Sequence, residues 1–202
     1  MQRTIRRTAP KVRDGKVQNK NRWDWSTNYT NCRQPTLVYD RRNPGAGYRH
    51  LVRPADVKQF VESLPEWNVL REGLDAVVLA EGDPDCLGWH RTGVVALNAW
   101  ERDYVLTGRY SCFFAEHYKL LEKLNVPCSQ TEGSWVLEFT EATARAFHLV
   151  HVLVHELGHH HDRITTRSKR QPCRGESYAE EYAVKHEDEV LELYWSIFPD
   201  DY

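Results

Sequence analysis

The chain has 202 residues, 41% hydrophobic and 11% aromatic, enough to build a core for one compact domain. Its net charge of −2 gives no global preference for nucleic acid or membrane, but the charge is unevenly spread. Residues 1–22 carry eight Lys or Arg against the single acid Asp14, whereas residues 174–202 carry nine Asp or Glu against Arg174 and Lys185. Five scattered cysteines (Cys32, Cys86, Cys112, Cys128, Cys173) form no CxxC pair and are odd in number, which argues against a disulfide framework and a cysteine-built zinc site. They read as mostly buried, reduced thiols. With no apolar leader and no apolar run of about 18 residues, the expectation is a soluble cytoplasmic protein that does not engage a membrane.

Along the chain, residues 1–35 read as a basic, disordered arm and 36–202 as a single domain. Arg41 to Gly47 reads as a loop. Ala55 to Leu64 reads as a short helix with Val57, Phe60, Val61 and Leu64 inward. Asp75–Ala80 and Gly93–Leu97 are β-rich. Cys112–Leu124 reads as a helix ending before Pro127, and Trp135–Phe139 alternates as a half-buried strand. Thr140 is suited to cap a helix running to about His161, whose centre, Ala146 to Val154, is apolar nearly all round and therefore buried. The last helix runs from about Glu176 to Phe198. Strands with segregated helices indicate an α+β fold.

His155-Glu156-Leu157-Gly158-His159 lies on the buried helix. Histidines four apart are separated by about 40° and one turn of rise, so both imidazoles project to one side and can take two corners of a zinc tetrahedron. Glu156 lies about 100° further round, where it flanks a metal and can act as general base toward a bound water whose pKa falls to about 7. One zinc ion per chain is the expected cofactor.

A third protein ligand is expected from the last helix. Glu176, Ala179, Ala183, His186, Val190, Leu193 and Ile197 form a stripe at +3/+4 spacing, so Glu176 is expected to point inward as the third ligand. Glu180, about 40° away, competes for that role or accepts a hydrogen bond from a ligand histidine. Glu181 is expected outward. His148 and His151 share the ligand face but read as core histidines. His160 and His161 read as helix C-terminal residues interacting with the macrodipole. Tyr178 and Tyr182 are candidate oxyanion donors near Glu176 but read first as aromatic packing residues, and His186 is inward without being assigned a role.

His155-Glu156-Leu157-Gly158-His159 followed by Glu176-Ser177-Tyr178-Ala179-Glu180-Glu181-Tyr182-Ala183 resembles the zincin metallopeptidases of the gluzincin type. It is similar in particular to the E-x-x-A-D-x-F-A pattern of ImmA/IrrE-like peptidases, with Glu180 in place of the Asp. HtpX-like peptidases share the pattern but have membrane spans that this chain lacks. The resemblance covers about residues 140–198. It implies a small mixed sheet packed on the active-site helix, Glu176 as zinc ligand, and a peptide or protein substrate. It also implies a substrate chain pairing with an edge strand, for which Val94–Leu97 and Trp135–Phe139 are the candidates. The expected function is a zinc-dependent endopeptidase with Glu156 as general base. Two alternatives are a zinc amidase acting on a small molecule, and a regulatory or nucleic-acid-associated protein that uses its basic arm to hold phosphates.

Overall fold

A computed structural model describes residues 27–108, 111–131, 134–166 and 174–201, together with the paired two-residue strands β1 (Val12–Arg13) and β2 (Lys16–Val17). The expected arm otherwise lies outside the described residues as far as residue 26. Residues 27–35 belong to the folded body: the Tyr29 hydroxyl donates to Asp40 Oδ2 (3.1 Å) and the Gln34 amide to Asp75 Oδ1 (2.9 Å).

The fold is α+β. Its main sheet has four strands in the order β3 (Val38–Arg41), β5 (Ala76–Ala80), β7 (Val94–Asn98) and β6 (Gly88–Arg91). The first three are parallel and β6 is antiparallel to β7. Every residue of β5 and β7 is buried, which is why Ala76-Val77-Val78-Leu79-Ala80 and Val94-Val95-Ala96-Leu97 read as continuous apolar runs: a parallel interior strand is covered on both faces. Val77, Leu79, Val95 and Leu97 join the large helical core, whereas Ala76, Val78, Ala80, Val94 and Ala96 face the other way, with Trp89, Tyr29 and Val38 packed among them. A strand β4 (Tyr48–Arg49) pairs with β8 (Trp100–Glu101), and β9 (Val105–Gly108), β11 (Ser134–Glu138) and β10 (Cys128–Thr131) form a separate three-stranded sheet with β11 central.

This topology corrects the choice of edge strand. β7 is paired on both sides and β11 lies between β10 and β9, so neither Val94–Leu97 nor Trp135–Phe139 has a free edge. On the side of the main sheet nearest the helix that carries His155 and His159 the edge is β6, and among the described residues no strand pairs with its outer side.

Helix α1 (Pro54–Glu62) starts on Pro54, whose missing N–H costs nothing in a first turn, and buries Val57, Phe60 and Val61. Helix α2 (Trp67–Leu70) and α3 (Ser111–Lys123) flank the core. The central helix begins where expected: the Thr143 amide donates to Thr140 Oγ1 (3.1 Å) and the Thr140 amide to Thr143 Oγ1 (2.9 Å). It is not uniform. α4 (Glu141–Phe147) leads into a π-helical segment, His148–Leu153, and then into α5 (Val154–Thr165). π segments are rare and concentrate at functional sites, and this one immediately precedes His155. α5 ends four residues later than the expected boundary at His161. The long α6 (Glu176–Ile197) packs along it. Among the described residues no helix is long and apolar enough to cross a membrane.

Candidate metal centre

The approach of α6 to α5 is set by Gly158 and Ala179. A Cβ on Gly158 would lie 3.0 Å from Ala179 Cα, 3.1 Å from its carbonyl oxygen and 3.1 Å from Tyr182 Cβ. Two of these neighbours are backbone, so they yield only if the helices separate. A Gly158→Ala variant gains up to about 1 kcal/mol of helix propensity but overpacks this crossing at a cost of typically 1–3 kcal/mol. The expected net result is a lower Tm together with weaker metal binding, because the carboxylates of α6 move off the histidines of α5. Calorimetry and metal titration on the same variant check both; unchanged values would show that the crossing has slack.

A second device fixes the start of α6. Asp162, 4% exposed at the end of α5, accepts from the Arg174 amide (2.7 Å) and Arg174 Nε (2.6 Å). Burial raises the Asp162 carboxyl, but these bonds and one from Thr166 outweigh it and hold the group below its usual range. Arg174 also lies over the Tyr178 ring at 3.6 Å. Gly175, at φ +76°, then turns the chain into α6 in a conformation that side chains beyond glycine rarely adopt.

These contacts bring His155, His159 and Glu176 together. Their ligand atoms cluster within 4.8 Å. Glu176 Oε2 is 3.3 Å from His155 Nε2 and 3.3 Å from His159 Nε2. Zinc-type bonds of about 2.0–2.2 Å imply ligand–ligand edges of roughly 3.3–3.5 Å in a tetrahedron, so the two N···O separations are of the size that a metal ion held by the three groups would need. The hydrogen bonds to His155 and His159 hold Glu176 well below the ordinary carboxylate range.

Glu180 stands one turn further along α6. Its Oε2 accepts from His155 Nδ1 at 3.1 Å. With Nδ1 donating to Glu180, the ring is fixed so that Nε2 faces Glu176, where it donates in the metal-free chain and, on giving up that proton, can bind a metal. Burial lowers the His155 pKa, but hydrogen bonds to Glu176 and Glu180 and the charge of Glu156 outweigh it and raise it to about 10.

Glu156 is 7% exposed. Burial pushes its carboxyl up to about 7, against the opposing pull of the His155 and His159 imidazoles. Gly88 of β6 makes room for it: a Cβ there would lie 3.1 Å from Glu156 Cγ and 2.8 Å from Val152 Cγ1.

Some expectations are corrected and others, such as His148 in the core and Tyr178 and Tyr182 in aromatic packing, hold. The Glu176 side chain faces α5 but is 81% exposed rather than buried, because α6 presents it at the mouth of the cluster while Ala179, Tyr182, Ala183, Val190, Leu191 and Tyr194 form the buried face. Glu181 is exposed, as expected from the stripe. His160 does not sit at a helix end: it is fully buried and its Nε2 donates to the Glu72 carbonyl (3.0 Å). His148 Nε2 donates to the Leu87 carbonyl (3.1 Å). Tyr178 shares a 2.7 Å hydrogen bond with His161 Nδ1, and the Tyr182 hydroxyl donates to Glu66 Oε2 (2.9 Å), so both hydroxyls are committed elsewhere. His186 faces Glu66 at 3.8 Å rather than the cluster. Cys32 is exposed and Cys86 and Cys128 half-buried, so the described thiols are less buried than expected. Burial pushes Cys86 up to about 12, which makes it a poor nucleophile.

Two residues that sequence reasoning passed over lie beside the cluster. His90, on β6, stacks on the His159 ring at 6.2 Å between centroids. His117, from α3, joins His151 and Glu180 in a second group of potential ligands. No family signal marks either residue, and only chain pairing at long range brings them here. No protein-family model, curated protein or solved structure matches this chain.

Proposed function

We propose that this chain is a zinc-dependent endopeptidase with a zincin-like core, in which His155, His159 and Glu176 bind the ion and Glu156 is the general base. The observation that carries the reading is the convergence of two imidazole Nε2 atoms on one carboxylate oxygen, each at 3.3 Å, beside a buried glutamate whose pKa is raised to about 7. A bound zinc would supply a Lewis acid and acidify water in its coordination sphere.

The chain's own groups account for the rest. A carboxylate poised near neutrality accepts a proton well and also returns it, so Glu156 can take one from the attacking water and deliver it to the leaving amine. Glu180 holds the His155 ring in register through Nδ1. The outer edge of β6 can bind an extended peptide by adding a strand, with backbone N–H and C=O groups supplying the bonds. Gly88 on that strand packs against Glu156 Cγ, so a peptide paired with β6 runs past the base. An open edge beside an exposed Glu176 favours a peptide over a small molecule in a closed pocket.

The test is hydrolysis of casein and of a mixed fluorogenic peptide library by zinc-loaded protein. Cleavage that a chelator removes and added zinc restores is expected. Cleavage confined to small N-acyl compounds would replace the endopeptidase with an amidase, and full zinc retention by His155→Ala would remove the assigned centre.

A further inference from the structure

We infer that the chain has a second cation site, formed by His117, His151 and Glu180, which takes a zinc-class divalent ion and ties α3 to the central helix and α6. His117 and His151 are 7% and 5% exposed, and their rings lie 4.2 Å apart between centroids. Glu180 Oε1 is 3.6 Å from His117 Nδ1, and Oε2 is 3.5 Å from His151 Nε2. These separations are longer than the usual 2.7–3.2 Å of an N–H···O bond and close to the roughly 3.3–3.5 Å edges of a zinc tetrahedron. The three ligand atoms lie within 4.8 Å of one another, as in the first group.

Glu180 supplies the second observation. Its Oε1 is a buried carboxylate oxygen with no hydrogen-bond partner among the described residues. An unsatisfied buried oxygen on a charged group is costly, and a cation held between it and two imidazoles removes that cost. Two nitrogens and one carboxylate oxygen suit zinc, cobalt or nickel and are a poor match for calcium or magnesium, which take mainly oxygen ligands.

The architecture favours such a cross-link. His151 belongs to the π-helical segment, Glu180 to α6 and His117 to α3, so one ion joins three elements, of which α3 and α6 are also linked at the surface by Lys123 with Glu187 and Asp188. Because Glu180 Oε2 also accepts from His155 Nδ1, the same carboxylate connects the two sites. An ion at the second site holds Glu180 in place, and Glu180 holds a ligand of the first.

The inference does not depend on the peptidase reading, and cobalt(II) binding to the full chain separates them. Metal-stripped protein is titrated with cobalt chloride, followed by visible absorbance and by metal analysis after gel filtration. The wild type is expected to take up two ions in separable steps, His117→Asn one, and His159→Ala one. Occupation of the second site is expected to raise the Tm of His159→Ala. A single wild-type ion that is lost in His159→Ala and kept in His117→Asn overturns the second site and leaves the first standing. A single ion with the opposite pattern supports the second site and removes the first. No uptake overturns both. If His117→Asn fails to give a native circular dichroism spectrum, His151→Gln replaces it, and the two-step wild-type titration needs no variant.

Discussion

Replacing Glu156 with Gln is expected to lower hydrolysis by about 10²–10⁴-fold, the usual cost of removing a general base, while zinc content is unchanged. The amide is nearly isosteric and fits the space beside Gly88, so the fold and the histidines are undisturbed. A second readout follows from the buried charge. The Glu156 carboxyl titrates near 7 in the folded chain, raised by burial from about 4.5 in the unfolded one. Between those values the folded state binds the proton more tightly, so stability is full below about pH 4.5 and is lost as pH rises toward and past 7. The penalty at pH 8 is on the order of 3 kcal/mol at 1.36 kcal/mol per pH unit. Glu156→Gln cannot ionise. In chelator-treated protein it is therefore expected to melt above the wild type at pH 8 and to match it at pH 4.5. Stability curves at the two pH values check this. Near wild-type turnover would remove Glu156 from the chemistry; equal melting at pH 8 would show that its burial is not costly.

Glu176→Gln is expected to weaken zinc binding at the first site more than any other carboxylate change on α6. Glu176 Oε2 is 3.3 Å from both Nε2 atoms, and an amide oxygen carries no charge to offset a dication. Glu180→Gln leaves those three ligands but exchanges the charged acceptor at His155 Nδ1 for an amide, for which a loss of about 10–100-fold is expected. Glu181→Gln is expected to do nothing, since the residue is exposed and lies outside both ligand groups. Competition titration against a chromophoric chelator ranks the three. If Glu180→Gln strips zinc from His155 and His159 while Glu176→Gln retains it, the ligand assignment is reversed.

The distinction between Glu176 and Glu180 also shows where sequence reasoning stops. An apolar stripe reports which side of a helix faces the core, and it orders Glu176 and Glu181 about the axis of α6. It does not report how far along the axis the neighbouring helix ends. Glu176 lies on the side of α5 yet is 81% exposed, because it belongs to the first turn, where α6 has only begun to cover its neighbour. An inward angle was legible; depth was not.

Local rules carried much of the remaining architecture. Thr140 and Thr143 cap the central helix through contacts three residues apart, and Pro54 starts α1. The apolar runs of β5 and β7 marked two strands, and the structure added that they are buried and parallel. β6 was missed because Gly-Trp-His-Arg is short and shows neither alternation nor an apolar run, and β3, with Asp and Arg in four residues, was missed for the same reason. The π segment was invisible as well, since its residues lie within one apolar stretch, Ala146 to Val154, that reads as continuous helix.

What this chain's sequence determined alone is the set of relations internal to a helix or strand: two histidines on one face, a glutamate flanking them, a capped and buried helix, and an α+β mix. These depend on the fixed rise and rotation of regular backbone, so spacing is enough. The tertiary structure alone decided that, among the described residues, β6 is an edge strand whereas β7 and β11 are not, that His160 is core, and that Glu180 faces His117, His151 and His155 at once. Each of those depends on which distant segments pair and how closely two helices cross, and that distance is set by Gly158 against Ala179, a contact between residues with no local relation in the chain.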